Sequence, residues 1–152
     1  MSLLEHQYIE FENVLSYKTR VDMNRLEKLI SYIERNTDAL GLTISGNIMF
    51  TVPEVIELSD RRILGIEILI PVDKAFESRE QYIYKPMFRL VKAVSIRFGD
   101  ISEFDEVNDK LMRYLKKNHF SAASGVYYII DCECQELSRV YDALVSVNDN
   151  MV

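Results

Sequence analysis

Leu64-Gly65-Ile66-Glu67-Ile68-Leu69-Ile70-Pro71-Val72 is the stretch on which the reading of this chain turns. Apolar and β-branched residues follow one another closely, and Pro71 and Asp73 bring the run to an end. That is the pattern of a central strand. Glu67 is its one charge. A carboxylate inside a mostly buried strand needs a partner, water or a ligand, because burying it unpaired is costly.

The chain on either side supplies partners for such a strand. His6–Thr19 alternates aromatic and β-branched residues with polar ones, and predicts a strand kinked or bulged near Glu12-Asn13. In Asp22–Leu40 the period changes to helical, with Leu26, Leu29, Ile30, Ile33 and Leu40 on one side. Asn24 with Glu27 reads as a capping box, Asp22 as the competing cap, and Gly41 as the left-handed end. Leu42–Val52 predicts a second strand ended by Pro53, followed by a polar connection, Glu54–Arg62. Asp73–Pro86 reads as a long connection, and Met87–Phe98 as a strand turned by Gly99-Asp100. Ser102, with Asp105 three residues on, is the expected cap of a second helix with the stripe Phe104, Val107, Leu111, Tyr114 and Leu115, ended by Asn118. Phe120–Ser124 reads as a loop, Gly125–Cys134 as a strand and Val140–Val147 as the last strand. A helix over Glu136–Val147 also fits the spacing of Leu137, Val140, Tyr141 and Leu144.

The two halves, about 6–73 and 87–149, repeat one order: strand, helix, strand, strand. Gly46–Val52 corresponds to Gly125–Asp131, and Ile66–Asp73 to Tyr141–Asn148, and this correspondence favours the strand over the helix at the end of the chain. One amphipathic helix per half predicts an α+β fold, a single domain over 1–152 with an antiparallel-rich sheet and two long helices on one face.

Ile66–Val72, ending in Ile-Pro-Val, and Ala93–Leu115, a strand meeting a glycine turn and an amphipathic helix, carry a family likeness. Followed by Asn118 and the Gly125 strand, they resemble the gyrase-inhibitor-like (GyrI-like) effector-binding fold, which is also the ligand-sensing domain of some AraC-type and multidrug-responsive regulators and is similar to the haem-binding SOUL proteins. The resemblance implies a small-molecule site on the open sheet face at the junction of the halves. The chain departs from the family in two respects, and the first is that Gly125–Asp131 carries tyrosines where drug-binding members often have a glutamate. No helix-turn-helix pattern precedes the domain either, so a standalone module without a DNA-binding region is expected.

Alternation sorts residues onto that face. Leu64, Ile66, Ile68, Ile70 and Val72 are expected to face the helices, and Gly65, Glu67 and Leu69 to face away. Asn47, Met49, Ser95, Arg97, Tyr127, Ile129 and Asp131 fall on the outward side by the same rule. The candidate ligand-binding residues are therefore Glu67, Tyr127, Met49, Arg97, Leu69 and Asn47. Glu67 would be the anionic anchor for an amine or hydrophobic cation, and Tyr127 would supply a ring face. The plainer alternative is a structural Glu67–Arg97 pair across an exposed face.

Totals narrow the function classes. In 152 residues the net charge is −6, with 48% apolar and 28% charged residues. That is ordinary globular composition with an acidic balance, which argues against nucleic acid and against anionic membranes as partners. Arg113, Lys116 and Lys117 are the dense basic cluster, explained by their place at a helix end. No leader or long apolar run is read, so a cytoplasmic protein is expected. Cys132 and Cys134 read as structural thiols, and His6 and His119 as solvated residues, so no metal or other cofactor is expected. Neither a phosphate loop nor a nucleophile elbow occurs, and the chain is read as not an enzyme. The alternative to the ligand-binding module is an acidic protein-interaction domain, an inhibitor, adaptor or immunity-like partner, in which Asp100, Glu103, Asp105, Glu106 and Asp109 would take part. A weak hydrolase with a Glu–Tyr pair activating water is the third reading. A homodimer covering part of the sheet face is a further candidate arrangement.

Overall fold

The computed structural model describes residues 3–131 and 140–149. Among the described residues seven strands and two α-helices make an α+β fold with antiparallel strand pairing. The chain packs as two compact units, one comprising Phe11–Phe88 and the other Met1–Glu10 with Arg89–Val152. Two long strands, β1 (Leu3–Asp22) and β4 (Tyr82–Phe98), contribute to both.

In the Phe11–Phe88 unit, β1 leads through a 3-10 turn (Met23–Arg25) into α1 (Leu26–Ala39), then β2 (Met49–Glu57) and β3 (Arg62–Pro71). The strand order is β4, β1, β3, β2. Tyr17 lies opposite Ile68, and Lys18 opposite Glu67. Met49 lies opposite Leu69, and Thr51 opposite Glu67. The buried stripe of α1 is Leu26, Ile30, Ile33 and Thr37, at helical spacing. Asp22 begins the helical segment, its carboxylate accepting from the Asn24 N–H at 2.9 Å. Gly41 ends it at φ +79°, a conformation that costs a glycine little.

Boundaries differ from the sequence reading, three of them with a physical reason in this unit. Pro53 does not end β2: the register with β3 shifts between Thr51 and Glu54, so a bulge absorbs the missing N–H and the strand runs on to Glu57. Gly65 belongs to this irregularity, since a Cβ there would sit 3.0 Å from the Glu54 Cβ. The second strand also starts later than expected, with only an isolated bridge between Ile44 and Val72 before Met49. Finally, β4 begins at Tyr82, within the expected connection, because the residues there have partners in the fold. The Tyr82 ring packs on Tyr17 with centroids 5.3 Å apart, and the Tyr84 hydroxyl donates to Asn13 Oδ1 at 2.7 Å. Asn13 itself has φ +58°, which places the expected kink of β1.

In the other unit, a 3-10 turn (Ile101–Glu103) leads into α2 (Phe104–Lys117), followed by β5 (Phe120–Ala122), β6 (Tyr127–Asp131) and β7 (Val140–Asp149). Here β7 is central: β6 pairs along Val140–Leu144, β4 along Tyr141–Ser146 and β5 along Val147–Asp149. Phe120–Ala122, expected as loop, is thus a short strand, and Val140–Asp149 is strand. The cap of the helical segment is Asp100, accepting from the Ser102 N–H at 2.9 Å, in place of the expected Ser102. The core is aromatic: the Phe98 ring stacks on Tyr141 at 5.3 Å, and Phe104 of α2 meets Tyr128 at 5.1 Å. Burial, and secondly the Asp105 carboxylate, push the Tyr128 hydroxyl above its ordinary pKa. Cys132 and Cys134 lie outside the described residues.

Candidate functional site around Glu67

The face that carries Glu67 follows from the registers. Tyr17 and Ile68 lie on one face of the β1–β3 pair, and Tyr82 packs on Tyr17. Asn36 of α1 donates its side-chain N–H to the Tyr82 hydroxyl at 2.9 Å, so α1 covers this face. Glu67, with Lys18 and Thr51 opposite it on the two flanking strands, therefore points away from α1, as alternation requires. So do Leu69 and Met49, which face each other across β3 and β2.

This face is not open at its centre. Met49 and Leu69 are fully buried, and Glu67 retains 9% of its accessible surface. Glu67 is held by groups that no local pattern links to it. Lys85 of β4 reaches across β1 to place its ammonium 2.7 Å from Oε2, and the Ser16 hydroxyl donates to the same oxygen at 2.5 Å. Ser16, on β1, is buried and lies opposite Leu69. Burial by itself would raise the Glu67 pKa, but the hydrogen bonds from Lys85 and Ser16, with the charges of Lys85 and Lys18, outweigh it. The carboxylate is therefore held below its ordinary value and stays ionised.

The remaining sequence candidates are placed as follows. Asn47 precedes β2 and is half-buried, outside the strand registers. Arg97 and Tyr127 belong to the unit of Arg89–Val152, where Arg97 lies opposite Asp142 and Tyr127 opposite Leu144. With Ser95 and Ile129 they share the strand face turned away from Tyr128 and α2, as expected from their parity. Arg97 bonds Asp142 through two guanidinium nitrogens, at 2.9 and 3.0 Å. Asp142 follows directly from register, as the residue facing Arg97 across the β4–β7 ladder.

Sequence reasoning missed Lys85 and Ser16. Lys85 fell in a tyrosine-rich run read as a connection. Its signal was there in retrospect, because Tyr82, Tyr84 and Pro86 alternate with residues of the other parity. Ser16 carried no signal beyond being a small polar residue within an apolar strand. Among the described residues no group of three or more His, Cys, Asp and Glu side chains is placed to hold a metal ion, and no helix is long and apolar enough to cross a membrane.

The fold has counterparts among solved structures. A chain of the EcmrR–DNA complex in EcmrR-RPo, determined by cryo-EM, superposes with a TM-score of 0.78 at 15% identity. The match covers 97% of this chain and 58% of that one, so the chain spans little more than half the length of that neighbour. The crystal structure of the EcmrR C-terminal domain matches with a TM-score of 0.68 at 15% identity, over 98% of this chain and 99% of that one. A conserved protein from Listeria innocua matches at 0.52 and 11% identity, over 95% and 93% of the two chains. No family model and no curated protein sequence matches the chain. At these identities the likeness establishes the fold alone, one shared with the EcmrR C-terminal domain.

Proposed function

We propose that the chain is a ligand-binding module that takes up a small amine or hydrophobic cation at Glu67. One observation carries the reading: a nearly buried carboxylate, turned away from the helix, already coordinates an ammonium group and a hydroxyl. Such a carboxylate matches the charge and hydrogen-bonding of a primary amine. Lys85 is the internal occupant, on a four-carbon stem with 38% of its side chain exposed, so it can swing into water when a ligand ammonium replaces it. The neighbouring Met49 and Leu69 side chains provide apolar surroundings that favour a ligand with a hydrocarbon body. A carboxylate held ionised by a lysine is a weak base, which supports binding over water activation.

Thermal melts against alkylamines, benzylamine and lipophilic quaternary cations test this reading. Lys85→Ala is expected to respond to primary amines more strongly than the native protein, because it vacates the ammonium position. At a ligand concentration about 100 times Kd, the stabilisation would be about 2.7 kcal/mol. Glu67→Gln is expected to abolish the response. If no amine shifts either the native protein or Lys85→Ala, the proposal fails. A salt-sensitive protein partner captured in its place would favour the acidic interaction domain.

A further inference from the structure

A cavity in the unit formed by Met1–Glu10 and Arg89–Val152 is lined by Glu5, His6, Lys92, Val94, Phe120 and Val147 and has a volume of about 160 Å³. Its position follows from the strand pairing. The β4–β7 register runs from Ala93 to Phe98, whereas β7 pairs with β5 from Val147 onward. Lys92, the residue just before the β4–β7 register, has φ +49°, and His6 on β1 has φ +59°. A left-handed backbone at two positions that are not glycine is uncommon and marks local irregularity in both strands. The cavity opens where these two irregularities meet the change of partner on β7.

Its chemistry is divided. Val94 and Val147 are buried and Phe120 is half-buried, and together they give the cavity an apolar floor. The polar groups, Glu5, His6 and Lys92, are exposed. Glu5 has a neighbour in His6, whose Nε2 lies 3.9 Å from its carboxylate. Lys92 has no ion-pair or hydrogen-bond partner among the described residues. An apolar pocket bordered by an uncompensated ammonium suits an amphipathic anion. The volume sets the size, since a cavity of roughly 150 Å³ holds a benzene-sized molecule.

We propose that this cavity is a binding site for small monocarboxylates with a compact hydrocarbon body, aromatic or branched, with the carboxylate on Lys92 and the hydrocarbon on Val94, Phe120 and Val147. It is independent of the Glu67 site in residues and in ligand charge.

Titration of the full chain with benzoate and 3-methylbutanoate, followed by backbone amide NMR and calorimetry, tests it. Benzyl alcohol and benzylamine serve as uncharged and cationic counterparts. Binding is expected for the two acids, with shifts centred on Lys92, Phe120 and Val147. Lys92→Gly suits the left-handed backbone while removing the ammonium, so it should keep the fold and weaken benzoate by about tenfold. Lys92→Arg should retain binding, Phe120→Ala should weaken it, and Glu67→Gln should leave it unchanged. Absence of acid binding at millimolar concentration, equal binding of benzyl alcohol, or an unaltered Kd in Lys92→Gly would overturn the proposal.

Discussion

Two ion pairs, each on a strand face turned away from a helix, differ in how water reaches them. In one, Lys85 crosses over β1 to a Glu67 side chain with 12% of its surface exposed. In the other, Arg97 meets Asp142 directly across the β4–β7 ladder, with side chains 59% and 27% exposed. The hydrogen-bond lengths are alike, so geometry does not separate them. What separates them is desolvation: an exposed pair gains little because water already solvates both charges, whereas a buried charge that loses its partner is left uncompensated. The Glu67 pair is accordingly the stronger constraint on the fold and the better candidate for exchange with a ligand.

Breaking the Glu67 pair should have the largest effect. Lys85→Met is expected to lower unfolding free energy by about 2 kcal/mol, since the carboxylate then keeps only the Ser16 hydrogen bond and the more distant charge of Lys18. Denaturant titration of Lys85→Met against the double variant Lys85→Met/Glu67→Gln sharpens the point. The double variant should recover part of the loss, because no buried charge remains. If it recovers nothing, packing of the lysine stem, and not charge, accounts for the effect.

The pH dependence should single out the same carboxylate. Its folded pKa lies below the ordinary 4.5, so the stability it contributes is present above that value and lost as pH falls through the lowered folded value. Melting temperatures of the native protein and Glu67→Gln should therefore converge in acid and diverge toward neutrality. Parallel curves would show that Glu67 titrates alike in the folded and unfolded chain.

The helix caps offer a matched intermediate comparison. Asp22 and Asp100 each accept from the N–H two residues on, at 2.9 Å in both cases. Asp22→Ala and Asp100→Ala should each cost about 1 kcal/mol. A clear inequality would show that one helical segment depends on its cap more than the other. The smallest change is expected for Asp142→Asn, about 0.5 kcal/mol and diminished by salt. A loss as large as that of Lys85→Met would remove the distinction between the two pairs.

Periodicity made most of the elements legible. The stripes of Leu26, Ile30 and Ile33, and of Phe104, Val107, Leu111 and Leu115, place both helices because burial of one face needs that spacing. The side of the sheet taken by Glu67 was equally legible, since a strand sends successive side chains to opposite faces. Boundaries were less so. Pro53 ends a regular strand by local rules, and only the bulge opposite Gly65 lets β2 continue. Asp22 was legible as one of two caps for the first helix, whereas the second cap falls at Asp100, two residues before the expected Ser102, because several polar side chains near each start could have served.

The sequence by itself determined that this chain is α+β, where its two helices run, and that one carboxylate lies within its most apolar strand. It also determined the direction in which that carboxylate points. The tertiary structure alone decided what meets it. Lys85 is 18 residues away in sequence and Ser16 is 51, and both reach Glu67 only because β4, β1 and β3 lie side by side. Local patterns follow from the backbone's own periods, whereas an ion pair depends on distances that exist only once the strands are assembled.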